Sequence, residues 1–242
     1  MTLIEHLDEL RRRLIYAIVG LAVGLAAALS FGRSILDLLQ YSYVQAMKDA
    51  NLDPQLAFPS ITSPLGTYLG VALVAGIVIA SPWILWQIWM FVSAGLYKKE
   101  RRFVKMAVPF SASLFLAGVA FFLFAASGSL IRFFVRTNQW LGYKPVIMLK
   151  DHISFMLRFM LVFGVAFQTP LVVFMLSKVG LVSIAQLNKY RRHVIVGLLI
   201  LAAVMTPPDP FSQLALAIPM WLLYELGVLL AWLGRRKEAP AE

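Results

Sequence analysis

The sequence contains no cysteine and only three histidines. Without cysteine the chain forms no disulfide and offers no thiolate for catalysis or for binding zinc or an iron–sulfur cluster. The histidines, His6, His152 and His193, are too far apart to match a metal-ligand motif. No Ser/Lys, Asp/Asp or His/Glu/His set stands at a spacing that supports catalysis. We therefore expect no metal, no other cofactor and no enzymatic activity.

The sequence is also poor in charge. Charged residues make up 14% of the chain, against about 25% in a soluble domain. Hydrophobic residues make up 60%, and the mean hydropathy is +0.79. A chain of 242 residues with this composition is predicted to have the lipid bilayer as its main solvent. The net charge of +10 would suggest nucleic acid in a soluble protein, but these charges lie between apolar runs, so we expect no nucleic-acid partner.

Six apolar segments indicate an all-α membrane protein with a single domain over residues 1–242. The predicted spans are 14–31, 64–92, 106–127, 153–177, 194–205 and 214–233. A helix needs about 20 residues to cross a hydrocarbon core of about 30 Å, whereas the fifth segment reaches only about 18 Å. Polar ends that extend this helix, a locally thinned bilayer or covering partner proteins are the alternatives. Prolines inside the third, fourth and sixth spans predict kinks.

The basic residues predict the orientation of the spans. Of the 22 Lys and Arg residues, 15 lie on the side that carries both termini, which places the N- and C-termini in the cytoplasm. On the outer side, the helical spacing of apolar residues over 35–47 predicts a separate short amphipathic helix along the membrane surface. Three prolines over 51–64 predict an ordered extended loop, and 130–145 is a second outer segment.

Two acidic residues stand out against the basic cytoplasmic side. Glu9 lies just before three consecutive arginines, and Glu100 is the one acid of the loop between the second and third spans. Helical spacing predicts ion pairs between Glu9 and Arg13 and between Asp8 and Arg12. An interfacial helix with solvated charges is the simpler interpretation of the first segment, and local charge balance is the simpler interpretation of Glu100.

Polar residues inside the predicted spans form another group of candidates. Gln168 in the fourth span and Glu225 in the sixth are expected to face the bundle interior or a water-filled cavity, because a charge at a helix centre costs about 2.5–3.5 kcal/mol. Glutamine hydrogen-bonds but does not titrate. For Glu225 a hydrogen-bonded structural role is an equal alternative. Asp209, in the outer turn before the sixth span, either caps that turn or contacts cargo.

Several motifs, in order along nearly the whole chain, resemble the TatC family, the core receptor subunits of the twin-arginine protein translocase. They comprise His6–Arg13 (HLDELRRR), Phe91–Arg102, the turn Thr206–Gln213 (TPPDPFSQ), Ala217–Met220 (AIPM) and Tyr224–Gly227 (YELG). The resemblance implies a kinked, concave six-helix bundle in a bacterial or archaeal cytoplasmic membrane. It also implies binding of twin-arginine signal peptides and export of folded proteins driven by the proton-motive force.

The resemblance also implies a site and partners. The candidate signal-peptide site comprises Glu9, Leu10, Arg11, Arg13, Phe91, Leu96, Tyr97, Glu100 and Arg102. Pro207 and Asp209 are separate candidates in the periplasmic turn. Guanidinium groups fit carboxylates bidentately, which favours Glu9 and Glu100 as ligands of paired arginines. Implied partners are TatA- and TatB-type single-span proteins near the fifth and sixth helices, and further copies of the chain in an assembled complex. Many family members carry glutamate where this chain has Gln168.

A small proton-coupled transporter that uses Glu225 and His152 is the rival hypothesis. It requires paired titratable groups on facing helices along a polar path through the midplane of the membrane. The sequence supplies few such groups, and no internal repeat of the kind common in transporters is apparent.

Overall fold

The computed structural model describes residues 3–54, 56–95, 101–143, 147–206 and 209–236. These residues form nine α-helices, one π-helical segment and two short strands, which confirms the all-α prediction. The helices are α1 (Leu3–Asp49), α2 (Ser63–Ala94), α3 (Arg101–Phe121), α4 (Ser127–Trp140), α5 (Leu149–Ala166), α6 (Thr169–Lys178), α7 (Ile184–Lys189), α8 (Arg191–Met205) and α9 (Pro210–Arg236). The strands are β1 (Leu56–Ala57) and β2 (Ile147–Met148), and the π-helical segment is Phe122–Ala126.

Helix α1 is one continuous element of 47 residues, about 70 Å long. The prediction of a separate helix over 35–47 is therefore wrong, although its helical spacing is correct. Gly32 does not break the helix, because a single glycine costs only about 1 kcal/mol and its missing side chain admits the ring of Tyr68. A Cβ at Gly32 would lie 2.5 Å from Tyr68 Cε2. Beyond it, Leu39 and Tyr43 are fully buried in the core rather than laid on a membrane surface.

Helices α3 and α4 also form one path, joined by the π-helical segment. The helical path therefore continues beyond the predicted span 106–127, and the outer segment 130–145 is largely helical. Phe122, at the start of the π-helical segment, is fully buried and packs against Phe159 and Phe163 of α5, with ring centroids 5.5 Å away in both cases. A π-helical turn inserts one residue without ending the helix. The helix therefore continues through this aromatic contact, past the position where the sequence predicted its end.

The fourth predicted span is broken into α5 and α6, which confirms a kink near Pro170. Proline lacks a backbone N–H and is accepted in the first turn of a helix, where no intrahelical partner is needed. Pro170 holds that position in α6, and Gln168 precedes the helix as its N-cap residue.

Helix α8 is short, as predicted. Its 15 residues span about 22 Å, and the backbone at Tyr190 separates it from α7, so polar residues extend the predicted helix by only three positions. Among the described residues, five helical stretches are long and apolar enough to cross a membrane, and α8 is not one of them. The fifth predicted span, 194–205, and with it the count of six spans, therefore stay predictions.

The first two helices pack closely through small residues. A Cβ at Gly24 would lie 2.5 Å from the carbonyl oxygen of Gly76, and a Cβ at Gly76 would lie 2.9 Å from the Leu25 backbone. Close backbone approach of this kind drives helix association in lipid. Gly66, near the start of α2, is different: a Cβ there would meet no atom within 4 Å.

On the outer side, the two loops are joined by a parallel pairing of β1 with β2, in which Leu56 stands opposite Ile147. Within the proline-containing loop, Leu56 and Ala57 are thus extended, whereas 59–62 form bends and a turn before α2 begins. The main core lies between the outer half of α1 and helices α3, α4, α5 and α9. The cytoplasmic ends of α1 and α2 lie outside this core and are positioned by contacts of their own.

Candidate functional site

The Glu9 carboxylate accepts hydrogen bonds from two arginines of its own helix. Arg13 Nε donates to Oε1 at 2.7 Å, and Arg12 Nη2 donates to Oε2. The Glu9–Arg13 pair confirms the predicted spacing, whereas Arg12 pairs with Glu9 instead of the predicted Asp8. The Glu9 side chain is 11% exposed and that of Arg13 is 19% exposed, whereas that of Arg12 is 58% exposed.

Helix α2 fixes one of these arginines from the other side. Arg13 Nη1 donates to Oε1 of Gln87 at 3.1 Å, and Gln87 is buried. Arg13 therefore bridges the carboxylate of α1 and the amide of α2 with two edges of one guanidinium group, a geometry that lysine cannot reproduce. Gln87 could not be selected from the sequence, since an isolated glutamine near a helix end carries no signal of its own.

A ring contact joins the two helices nearer the cytoplasmic end. His6 stacks on Phe91, with ring centroids 4.6 Å apart and an interplanar angle of 26°. Together with the polar bridge, this contact brings Glu9, Arg13 and Phe91 to one surface, although they are far apart in sequence. Leu10 and Arg11 lie exposed on the same turns of α1.

The remaining predicted residues of this site fall at the edge of what the structure describes. Leu96, Tyr97 and Glu100 lie outside the described residues, and Arg102 is described in its backbone only, as part of α3. Helix α2 ends at Ala94, and a Cβ at Gly95 would lie 3.9 Å from His6 Cε1, so the end of α2 that leads into this loop lies beside the Glu9 surface.

Gln168 is held by a two-point contact with α3. Its Nε2 donates to the Ser111 carbonyl oxygen at 3.0 Å, and its Oε1 accepts from Ser111 Oγ at 2.6 Å. Ser111 is fully buried. Gln168 is thus a packing contact at the α5–α6 break, and Ser111 is a partner that the sequence alone did not indicate.

Glu225 pairs with an arginine at the start of α8. Arg191 Nη2 lies 2.6 Å from Glu225 Oε2, and the two side chains line a cavity of about 520 Å³ together with Trp232. Next to them, Tyr224 Oη donates to the Leu187 carbonyl oxygen at 2.9 Å. Glu225 is therefore ion-paired to Arg191, a partner that neither interpretation of Glu225 from the sequence named.

The two remaining candidates have structural partners. Asp209 Oδ1 accepts from the Ser212 backbone N–H at 2.7 Å and caps α9, one of its two predicted roles. Pro207 lies outside the described residues. His152, which the transporter hypothesis requires, is buried, and its Nε2 lies 3.1 Å from the Leu39 carbonyl oxygen. His152 thus contacts α1 and Glu225 contacts α8. The two residues therefore do not form the facing pair that the transporter hypothesis requires.

Comparisons with known proteins agree with the motifs and the geometry. A family model described as "Sec-independent protein translocase protein (TatC)" matches residues 5–219. A TatC protein from Carboxydothermus hydrogenoformans is 36% identical over all of this chain and 97% of its own length. The TatCy protein from Bacillus subtilis is 34% identical over 98% of this chain and 91% of its own length.

A crystal structure titled as the twin-arginine translocase receptor TatC superimposes with a TM-score of 0.85. It is 32% identical and covers 96% of this chain and 100% of its own chain. These matches support protein translocation over small-molecule transport. The chain therefore belongs to the TatC family of Sec-independent protein translocase proteins and is a multi-pass protein of the cytoplasmic membrane.

Proposed function

We propose that the cytoplasmic surface formed by the first turns of α1 and the last turn of α2 binds the paired arginines of twin-arginine signal peptides. The observation that carries this proposal is the Glu9 carboxylate, which already accepts hydrogen bonds from two guanidinium groups, one on each oxygen. A carboxylate in this arrangement presents both oxygens to planar N–H donors, as recognition of an arginine pair requires. Glu100 is the second proposed ligand.

The residues around Glu9 have distinct proposed roles. Arg13, held by Gln87, orients the carboxylate, while the exposed Arg12 gives up its position to a peptide arginine. Phe91, fixed by His6, offers an apolar surface for a hydrophobic residue of the peptide, together with Leu96.

Four other residues complete the proposed site. They are Leu10, Arg11, Tyr97 and Arg102. The surplus of basic residues around the carboxylates repels other cationic peptides, so binding selects arginine pairs that reach the carboxylates.

The proposed partners dock on the α8–α9 side. Helix α8 reaches about 22 Å, short of a hydrocarbon core of about 30 Å. Its side chains Val196, Ile200 and Val204 are exposed. Single-span TatA- and TatB-type helices are proposed to cover this face, and several copies of the chain are proposed to assemble into one complex. The chain itself is proposed to be one domain of six spans that catalyses no covalent chemistry.

Site-specific photocrosslinking tests the proposed site. A photoreactive residue at Phe91, or at the exposed Asp8 next to Glu9, leaves both carboxylates in place. It should capture a twin-arginine signal peptide and lose most of that labelling with the twin-lysine peptide, because lysine lacks the guanidinium fork. Equal labelling by both peptides would remove the basis for paired-arginine recognition.

Removal of the carboxylate charge is the second test. Glu9→Gln should weaken peptide binding by about 10- to 150-fold, since a hydrogen bond to a charged group contributes about 1.5–3 kcal/mol. Asp8→Asn is the matched control, because it removes one negative charge from the adjacent, exposed position of the same helix. An equal loss in both variants would show that net charge alone governs binding.

A further inference from the structure

A cavity on the outer side of the protein has no role in signal-peptide binding. It has a volume of about 530 Å³ and lies between α4 and the first turn of α9. Its walls include Arg132, Arg136 and Trp140 of α4 and Phe211 of α9. The cavity therefore combines two permanent positive charges with aromatic surface, on the side of the protein opposite both termini.

The two arginines have little negative charge to balance them. Arg132 Nη1 lies 3.8 Å from Asp49 Oδ2, a long contact between two exposed side chains, and such pairs contribute little. Within the part of the chain that the structure describes, Arg136 has no ion-pair partner. The cavity thus carries a net positive charge and has guanidinium donors available to a ligand.

The shape of the cavity is fixed by contacts on both sides. Phe133 stacks on Phe211 with ring centroids 3.7 Å apart, which joins α4 to the start of α9. Almost two turns later, Gln139 Nε2 donates to the Ala50 carbonyl oxygen at 3.1 Å and anchors α4 to the end of α1. The two contacts lie on either side of Arg136 along α4 and hold this part of the helix in place.

The position along the helix places this cavity at the outer lipid headgroups. From Met106, just after the cytoplasmic basic run, the helical path to Arg132 covers 26 residues, about 39 Å. With a typical tilt of about 20°, that path crosses the hydrocarbon core of about 30 Å and ends within the headgroup layer. Arg136 lies one turn further out, and helical side chains lean toward the N-terminus, here back toward the bilayer.

We propose that Arg132 and Arg136 bind the phosphate of an anionic phospholipid in the outer leaflet. Guanidinium groups bind phosphate oxygens bidentately, which suits Arg rather than Lys at both positions. Trp140, 85% exposed at the end of the same helix face, supplies the amphipathic ring that is enriched at membrane–water interfaces. The bound lipid would hold the outer ends of α4 and α9 together through its headgroup.

Native mass spectrometry in a neutral detergent tests this proposal, with short-chain phosphatidylglycerol and phosphatidylcholine as probes. The wild-type protein should bind phosphatidylglycerol more tightly than phosphatidylcholine. The double variant R132Q/R136Q should lose about 30-fold in affinity for phosphatidylglycerol, and R136Q alone about fivefold, since each basic residue near a charged surface contributes a factor of about five. If the double variant does not fold, R136Q alone decides the outcome.

The matched control is R33Q/K48Q, which removes two positive charges from exposed positions of the outer half of α1. It should bind phosphatidylglycerol within twofold of wild type. An equal loss in control and test variants, or no loss in either, would overturn the proposal. Displacement of phosphatidylglycerol by inorganic phosphate at equal concentration would also overturn it, because the site would then recognise a free anion.

Discussion

Replacement of Arg13 by lysine isolates the geometry of the proposed signal-peptide site from its charge. Arg13 uses Nε for Glu9 and Nη1 for Gln87, at 2.7 and 3.1 Å. A lysine keeps the positive charge but has one ammonium group and cannot hold both partners in this arrangement. Arg12→Lys is the matched control: it also keeps the charge, yet Arg12 contacts Glu9 from an exposed position and has no described bridge to α2.

The two variants are expected to lose different amounts of binding free energy. Loss of one hydrogen bond to a charged group costs about 1.5–3 kcal/mol, which we reduce to about 1–2 kcal/mol for a partly exposed arginine. Arg13→Lys should therefore weaken binding of a twin-arginine peptide by about 5- to 30-fold. A helix-surface ion pair contributes only about 0.3–0.5 kcal/mol, so Arg12→Lys should change binding by less than about threefold.

Fluorescence anisotropy with a labelled twin-arginine peptide gives the dissociation constants, and thermal unfolding in the same detergent reports stability. A positioning role for Arg13 requires weaker binding at a temperature where the variant is fully folded. If Arg13→Lys lowers the unfolding temperature but leaves the dissociation constant unchanged, Arg13 only joins α1 to α2. If both lysine variants weaken binding equally, the exchange of Arg12 for a peptide arginine is refuted.

Three further predictions concern the bundle, each read by thermal unfolding in detergent. Gly24→Ala should destabilise by about 1–3 kcal/mol through overpacking, whereas Gly66→Ala, which meets no atom within 4 Å, should be neutral or stabilising; equal effects would refute the close approach of α1 and α2. Ser111→Ala should cost about 1–2 kcal/mol by leaving a side-chain amide without its donor, and an unchanged unfolding temperature would refute that contact. Arg191→Gln should destabilise more in the wild-type background than in a Glu225→Gln background, and additive effects would show that the pair is not coupled.

The sequence predicted the location of most helices because the apolar runs are long and the charges between them are few. It did not predict that α1 continues through Gly32 or that α3 continues into α4. Both boundaries were placed where the apolar run weakens, as a lipid-crossing helix requires. In the structure Leu39 of α1 and Leu130 and Val135 of α4 are buried against protein, so helix continuity depends on tertiary contacts outside the predicted hydrocarbon core.

In the candidate site, too, some residues could be identified from the sequence and others only from the structure. Glu9 and Arg13 were identified because their spacing on a helix is a local property. Gln87 and Ser111 were not, because a buried amide or hydroxyl becomes significant only through a partner on another helix. Glu225 was recognised as unusual for its depth, yet its partner Arg191 was counted among the topology signals of the cytoplasmic side.

The sequence by itself determined the environment and orientation of this protein, since hydropathy and the distribution of basic residues respond to the bilayer and not to the fold. It also determined which acidic residues interrupt the basic cytoplasmic side. Only the tertiary structure decided how those residues are oriented, because a carboxylate flanked by arginines has several local partners. The contacts from Arg13 to Gln87 and from His6 to Phe91, which span α1 and α2, select one arrangement for Glu9.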